Sequence, residues 1–528
     1  MSDEAAAAKE HGTWKPKSNP WLIAVVVTLS AFMEVLDTTI VNVSLPHIAG
    51  TMSASNDDAT WALTSYLIAN GIVLTISGWF ARLLGRKRYF LICIGMFTVC
   101  SLLCGLSNSL AQLIFFRLAQ GFFGGGLQPN QQSIILDTFP PDQRGRAFAL
   151  TALATIVAPV LGPTLGGWIT DNFSWRWIFF INIPVGAFAF FAITHLIEDP
   201  PWARRKEHAG IDGIGLALII LGLASLQITL DRGEDDGWFD SNFIRLTASM
   251  AAAGIAGAIA WLLYAKKPVL NIRVLKDANF ALCCVLMFCM ASILYASAVV
   301  IPLMAQQDLG YNATYAGLLL SPGAFFLIFL IPIVVRLQKT VPTKYIITTG
   351  FACLGSAMLY SHGLTPDIDF TTLASMRIAQ AGGLAFLFAP LATTAFANIS
   401  REDNGDAAAL FTMFRNVAGS VGISLSTAMI TEGTQRRMSY LVSHLTPLDQ
   451  GYALTLQHYQ QALLSRGLTA AAAAQAALGL MYQTLRQQAS ILAYVDVFGF
   501  CAVMAFCVVP VTFFLSRKKG GAPGAAAH

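Results

Sequence analysis

Charge is what this 528-residue chain has least of. Only 12% of its residues are Asp, Glu, Lys or Arg, against about 25% in an ordinary soluble domain. A deficit of that size over this length excludes a water-soluble globular protein. The net charge of +4 gives no bulk reason to expect nucleic acid as a partner. Metal-ligand spacing is missing: the eight histidines are scattered and no His-Glu-x-x-His occurs. There is no Cys-x-x-Cys pair. Cys93, Cys100, Cys104, Cys283, Cys284, Cys289, Cys353, Cys501 and Cys507 all lie in apolar runs, as small apolar side chains do. No Gly-x-x-x-x-Gly-Lys-Ser/Thr loop is present to hold ATP, and no nucleophile–base spacing marks an enzyme. A channel's ring of repeated pore charges is absent too. The first 19 residues are polar, with acids at Asp3 and Glu4. The apolar run behind them is too long for a cleavable signal and has no small-x-small site after it.

What is abundant is apolar length: 55% hydrophobic residues and a mean hydropathy of +0.60. A spanning helix needs about 20 mostly apolar residues. That criterion predicts fourteen, at roughly 21–44, 60–81, 89–107, 111–135, 146–169, 176–197, 211–230, 242–264, 279–304, 314–336, 344–361, 371–393, 406–430 and 490–515. In lipid every backbone polar group must be bonded internally, so the fold class is an all-α polytopic membrane protein. With the N-terminus inside the cell, 23 of the 33 Lys and Arg residues fall on the cytoplasmic side. Only Arg176, Arg232, Arg245, Arg436, Arg437, Arg466 and Arg486 fall outside. That bias places both termini in the cytoplasm. One outer segment, 431–489, is far longer than the rest, and its Ala-rich stretch from Thr469 to Gln488 reads as helical. It is either a hairpin resting on the membrane surface or a docking surface for an external partner.

An internal repeat organises the spans. Arg117-Leu-Ala-Gln120 in span 4 recurs as Arg377-Ile-Ala-Gln380 in span 12, an offset of 260 residues. Span 5 matches span 13 at the same offset: Gly145, Ala147, Ala149, Leu150, Ala158, Gly162 and Leu165 correspond to Gly405, Ala407, Ala409, Leu410, Ala418, Gly422 and Leu425. Spans eight apart imply two six-helix halves around an inserted pair. The expected division is a tail at 1–19, a first bundle at 20–200, a linker and inserted pair at 201–277, a second bundle at 278–515 and a tail at 516–528. Parallel halves of this kind hold a transporter's substrate site between them, near the midplane.

Ionisable residues inside spans are costly and mark function. Glu34 and Asp37 lie in span 1 and Arg117 in span 4. Helical rise puts Asp37 and Arg117 both roughly 10 Å below the outer surface, a depth at which they can pair. Such a pair is either a proton switch that forms and breaks or a static ion pair joining two helices. Glu34, at i−3 from Asp37, either faces the same cavity or holds a peripheral position. In the second half Arg377 and Asp496 are placed to pair. Arg415 lies deeper, able to meet a substrate carboxylate or a carboxylate of the first half.

At this point the sequence resembles the major facilitator superfamily, in its fourteen-helix drug:proton antiporter branch of the EmrB/QacA type. The likeness rests on Leu36-Asp37-Thr-Thr-Ile-Val-Asn42-Val-Ser-Leu-Pro46, on Arg117-Leu-Ala-Gln120-Gly121 with Gly124-Gly125-Gly126, and on Gly162-Pro163-Thr-Leu-Gly166-Gly167. It rests also on Trp175-Arg176-Trp177 leading to Asn182-Ile-Pro184-Val-Gly186, and on Leu230-Asp231-Arg232-Gly233 with Trp238-Phe239. The Gly162, Pro163, Gly166, Gly167 segment resembles the motif that marks exporters in this family. The loop between spans 2 and 3, Gly78, Arg82, Gly85, Arg86, Lys87 and Arg88, departs from the family pattern, because an acid usually stands at the Arg82 position. Asp137, at the inner end of span 4, is placed to supply the missing carboxylate; otherwise Arg82 is a snorkelling anchor.

The resemblance implies a proton-driven exporter of amphipathic small molecules in the cell inner membrane, with no cofactor, and Asp37, Glu34 and Arg117 as coupling groups. It also implies a tripartite pump, with an EmrA-like periplasmic adaptor and a TolC-like outer-membrane channel. The expected substrate cavity is lined by Trp61, Tyr66, Asn70, Gln128, Asn130, Gln132, Tyr295, Phe411 and Arg415, aromatic and polar side chains together, which suits amphipathic ligands. A dedicated exporter of one metabolite, siderophore or fatty acid fits the same residues, and an importer fits them less well.

Overall fold

The computed structural model describes residues 16–203, 212–266, 268–364, 368–445 and 450–515. The expectations for the two tails, for Arg204, Arg205 and Lys206 and for Lys267 lie wholly or partly outside them. Every regular element among the described residues is a helix.

The first set is α1 (Pro20–Thr51), α2 (Asn56–Leu84), α3 (Arg86–Leu106), α4 (Leu110–Gly124), α5 (Leu127–Thr138), α6 (Pro141–Asn172), α7 (Trp177–Phe180) and α8 (Asn182–Leu196). Two helices follow, α9 (Gly213–Arg232) and α10 (Asn242–Tyr264). The last set is α11 (Ala278–Gln307), α12 (Ala313–Leu318), α13 (Ser321–Leu337), α14 (Thr343–His362), α15 (Phe370–Ala385), α16 (Phe388–Ala395), α17 (Asn404–His444), α18 (Gln450–Leu464) and α19 (Ala470–Thr512). Side-chain caps set many of the starts: Asn19 accepts from the Trp21 amide, Ser109 from Gln112 and Asp277 from Phe280.

The packing follows the repeat. α1 lies against α6, α2 against α4 and α3 against α8. In the same order α11 lies against α17, α13 against α15 and α14 against α19. The two sets meet where α2 and α5 touch α17 and where α13 touches α6. α9 and α10 pack on each other, and α9 also reaches α2 and α17.

Close approach of α2 and α4 is built into glycine. A Cβ at Gly121 would fall 3.0 Å from the Tyr66 carbonyl carbon and closer still to its oxygen, and one at Gly125 would fall 2.9 Å from the Leu74 nitrogen. Small residues at these points let the two backbones touch. That contact brings Tyr66 and Asn70 beside the polar side chains of α4 and α5.

Among the described residues eleven helices are long and apolar enough to cross a membrane, and the Pro-bent α6 makes a twelfth. Of the fourteen expected spans, the fourth (α4 with α5) and the eleventh (α14) fall short of that measure. The fourth is interrupted at Gly125–Gly126 and carries Arg117, Gln120, Gln128, Asn130, Gln131 and Gln132, all buried. The break leaves two short helices and the buried polar side chains lower the hydropathy, while Phe115, Leu118 and Phe122 keep an apolar outer face. α14 opens on Thr343 and Lys344 and is interspersed with glycine and hydroxyl residues.

One boundary is corrected. The 431–489 segment is not a separate hairpin laid on a surface; it is largely a continuation of its two spans. At 1.5 Å per residue the 41 residues of α17 run about 60 Å, twice the roughly 30 Å of a hydrocarbon core. From Thr434 to His444 no Gly or Pro interrupts the helix, so it continues. α18 packs along α19, and Asp308 at the end of α11 holds α19 through Gln487 and Ser490. Burial raises the Asp308 carboxyl above the usual carboxylate range.

Candidate functional site

Helix α1 is buried on most of its circumference, which is why it can carry two carboxylates without exposing either: Asp37 is 0% and Glu34 3% exposed. Each sits in its own cluster of donors.

Around Asp37, three side-chain N–H donors converge. Its Oδ2 accepts from Arg117 Nη1 of α4 at 2.5 Å. Its Oδ1 accepts from Asn182 Nδ2 at 2.7 Å and Gln120 Nε2 at 3.0 Å. Arg117, also 0% exposed, donates Nε to the Ala62 carbonyl and shares Nη1 with Gln120 Oε1. Its guanidinium lies 4.1 Å from the Tyr66 ring centroid, a cation–π contact. Asn182 in turn donates to Ser101 Oγ at 3.0 Å. The depth argument from sequence thus corresponds to a direct contact. Gln120, Asn182 and Ser101 were not singled out as site residues. The first two stand in motifs quoted above, and the recurrence of Arg-x-Ala-Gln was the available signal.

The Glu34 cluster reaches the other half. Oε1 accepts from Asn70 Nδ2 at 2.8 Å and from the Tyr66 hydroxyl at 3.5 Å. Oε2 accepts from Gln128 Nε2, and Gln128 Oε1 accepts from Arg415 Nη2 of α17. One amide therefore bridges a carboxylate of the first half to a guanidinium of the second. Tyr295 of α11 stands beside Arg415 and packs its ring on Gly419.

Four of the expected cavity residues lie elsewhere or stay apart from this cluster. Trp61 sits at the α9 side of α2 under the Arg232 guanidinium, 5.5 Å from its ring centroid. Phe411 belongs to an aromatic cluster in which Phe396 contacts it at 5.4 Å and Phe148 at 5.9 Å. Asn130 turns back to the Gly126 carbonyl. Gln132 is buried with Oε1 unbonded. Gly162 and Gly166 of α6 lie against Thr39 and Ile40 of α1, directly after Asp37, with Pro163 and Gly167 between and beyond them.

Two pairings differ from expectation. Arg82 does not meet Asp137; it pairs with Asp406 of α17 at 2.5 Å and donates to the Val269 carbonyl at 3.2 Å. Asp137 is taken by Arg86 and also accepts from Trp202 Nε1 and Asn404 Nδ2. The acid absent from the α2–α3 loop is supplied across the interface, because Gly78 leaves room for the Asp406 carboxylate and backbone. Gly85 has φ +85°, a left-handed turn that favours glycine. Lys87 donates its backbone N–H to Asp199 Oδ1 and its Nζ to the Thr194 carbonyl, and Arg88 is exposed. The second difference is that Arg377 and Asp496 do not pair. Asp496 meets Arg437 at 2.5 Å, since α17 continues past the expected span end and brings that arginine alongside.

The Arg82–Asp406 contact locks the two halves at the end richest in Lys and Arg. Asp406→Arg is expected to cost roughly 1–3 kcal/mol, and Arg82→Glu combined with it is expected to recover most of the loss. Thermal unfolding of the purified single and double variants checks this.

The arrangement contains no nucleophile–base pair. Among the described residues there is no group of three or more His, Cys, Asp or Glu placed to hold a metal ion. What it offers is two buried carboxylates, Asp37 paired directly with Arg117 and Glu34 linked to Arg415 through Gln128.

The sequence profile of the Major Facilitator Superfamily matches residues 27–423. The multidrug export protein EmrB of Haemophilus influenzae is 37% identical over 81% of this chain and 84% of its own length. The EmrB protein of Escherichia coli K12 is 33% identical over 96% of this chain and 98% of its own. In structure, the human organic anion transporter MFSD10 superposes with a TM-score of 0.55, covering 93% of this chain and all of that one at 12% identity, a likeness of fold alone. Twin sets of helices around a buried charged centre and a match over three-quarters of the sequence lead to one conclusion: this chain belongs to the Major Facilitator Superfamily, and is a multi-pass membrane transporter of that family rather than an enzyme.

Proposed function

We propose that the protein is a proton-coupled antiporter that exports amphipathic small molecules. The observation that carries this reading is the Glu34–Gln128–Arg415 bridge. It makes the charge of a buried carboxylate in one half the counter-charge of an arginine in the other. A proton on Glu34 removes the negative charge and releases Arg415, so proton binding changes how the halves hold each other. Asp37 and Arg117 act the same way between α1 and α4. The names of the EmrB relatives support multidrug export as the substrate class.

The rest of the reading follows the charges. The end of the bundle holding Arg82, Arg86, Lys87 and Arg88 faces the cytoplasm, as the Lys and Arg bias requires. α4 with α5 and α14 complete fourteen spans, with 20–200 and 278–515 as the two bundles and 201–277 as the inserted pair. Tyr66, Asn70, Gln128, Tyr295 and Arg415 line the substrate cavity. The membrane is the inner membrane of a cell with an outer one, and the α17–α19 extension docks a periplasmic adaptor that leads to an outer-membrane channel. Exposed Tyr440, Val442, Leu478 and Tyr482 on that extension support the docking role.

The test uses cells lacking their own pumps. Expression of this chain is expected to lower accumulation of an amphipathic dye several-fold, and a protonophore is expected to restore it. Unchanged accumulation across lipophilic cations and weak acids, with the protein present in the membrane, counts against the reading. Glu34→Gln keeps the acceptor geometry for only one of its two amide donors and removes the charge. It is expected to reduce dye export about tenfold or more and to flatten its pH dependence between pH 6 and 8, read as export rate against external pH.

A further inference from the structure

The internal repeat reaches into the polar site, and the copy in the second half lacks its acid. At the offset of 260, Asp37 corresponds to Ser297, Ser101 to Ser361, Arg117 to Arg377 and Gln120 to Gln380. The bonds correspond as well. Arg377 Nη1 donates to Ser297 Oγ at 2.9 Å and to Gln380 Oε1 at 3.3 Å, as Arg117 Nη1 does to Asp37 and Gln120. Gln380 Nε2 donates to Ser361 Oγ at 3.1 Å. The Arg–Gln half of a carboxylate site is therefore kept around Arg377, with a neutral hydroxyl where the carboxylate stood, Gln380 Nε2 turned to Ser361 and Val442 in place of Asn182.

That leaves a charge unanswered. Arg377 is 3% exposed and has five N–H donors, of which only those on Nη1 are bonded among the described residues. Its own helix α15 and the neighbours α11, α13 and α14 carry no Asp or Glu. The carboxylate expected for it from sequence, Asp496 of α19, is committed to Arg437. Asp37 is paired with Arg117, and Glu34 is linked to Arg415 through Gln128. An ionised guanidinium with neither counter-charge nor full hydrogen bonding is among the most costly groups to bury. Gly323 leaves room for the Arg377 stem, since an added Cβ there would meet Arg377 Cγ at 2.9 Å.

We propose that the Ser297–Arg377–Gln380 pocket is a binding site for a monovalent anion, a halide or a carboxylate, that completes the charge balance of the second half. The anion accepts from the Nε and Nη2 donors that the protein leaves open. The site is separate from the Glu34 and Asp37 clusters and does not depend on the export reading.

The test is anion-dependent thermal stability of the full-length protein in nanodiscs, at fixed ionic strength and pH, with sulfate as the reference. Chloride or acetate at tens of millimolar is expected to raise Tm by about 2–4 °C. Ser297→Asp supplies an internal carboxylate, so it is expected to raise Tm in sulfate and to abolish the response to both anions. Ser297→Ala is expected to keep the response. A response to chloride alone identifies an inorganic anion. A further response to decanoate that chloride competes away identifies the carboxylate of an amphipathic ligand; both support the site. Equal Tm in all anions, or an undiminished response in Ser297→Asp, overturns it.

Discussion

Replacing Asp37 by Asn is expected to reduce export at least about a hundredfold, a loss of about 2.8 kcal/mol in rate terms. The carboxylate receives N–H groups from Arg117, Asn182 and Gln120. An amide cannot accept at both ends, so one orientation sets its NH2 against Arg117 and the other against two side-chain amides. Arg117, 0% exposed, then has no counter-charge. Breaking a buried pair from one side costs roughly 3–5 kcal/mol, so Tm falls together with transport. The double variant Asp37→Asn with Arg117→Gln separates the two effects. It removes both charges and is expected to recover much of the stability while transport stays lost. A static ion pair gives the other outcome, in which activity returns with stability. Melting curves and dye export measured on the unmodified protein and these two variants distinguish the two.

Gly125→Leu is expected to prevent correct assembly of the first bundle. A Cβ there already falls 2.9 Å from the Leu74 nitrogen, with the Asn70 carbonyl closer still. Backbone cannot rotate aside as a side chain does, so the cost is about 3 kcal/mol or more, a large share of a stability of about 5–15 kcal/mol. Pushing α2 off α4 also withdraws Asn70 from Glu34, which it meets at 2.8 Å. The control is Gly71→Leu, one residue from Asn70, where an added Cβ meets nothing within 4 Å. That variant is expected to express and melt close to the unmodified protein. Yield and Tm of the pair in detergent check the expectation; equal behaviour places the α2–α4 contact outside what holds the site.

The sequence made some parts of this molecule legible and not others, for physical reasons. Helix positions were readable because lipid demands long apolar runs. The fourth and eleventh spans were less so, because the one is broken at Gly125–Gly126 and rich in buried polar side chains and the other is interspersed with glycine and hydroxyl residues. Asp37 and Arg117 were readable as a pair because two charges at one depth have few alternatives. Arg82 and Asp406 were not. They are 324 residues apart, and nothing local distinguishes Asp406 from Glu402 and Asp403 beside it. The Arg377–Asp496 expectation failed because it assumed that span 13 ends near residue 430. With α17 running to His444, Arg437 stands nearer. Gln128 shows a third case. It is polar and central on any reading, yet its role as the bridge between Glu34 and Arg415 depends on three helices meeting at one amide.

Proton movement coupled to substrate decides the central claim. Purified protein in liposomes loaded with a pH-sensitive dye, under an imposed proton gradient, is challenged with lipophilic cations and weak acids. Proton flux on addition of a transported compound is expected from the unmodified protein and none from Asp37→Asn. Transport of the same compound by the unmodified protein without any proton flux, or an unaltered flux in Asp37→Asn, contradicts proton coupling through this site.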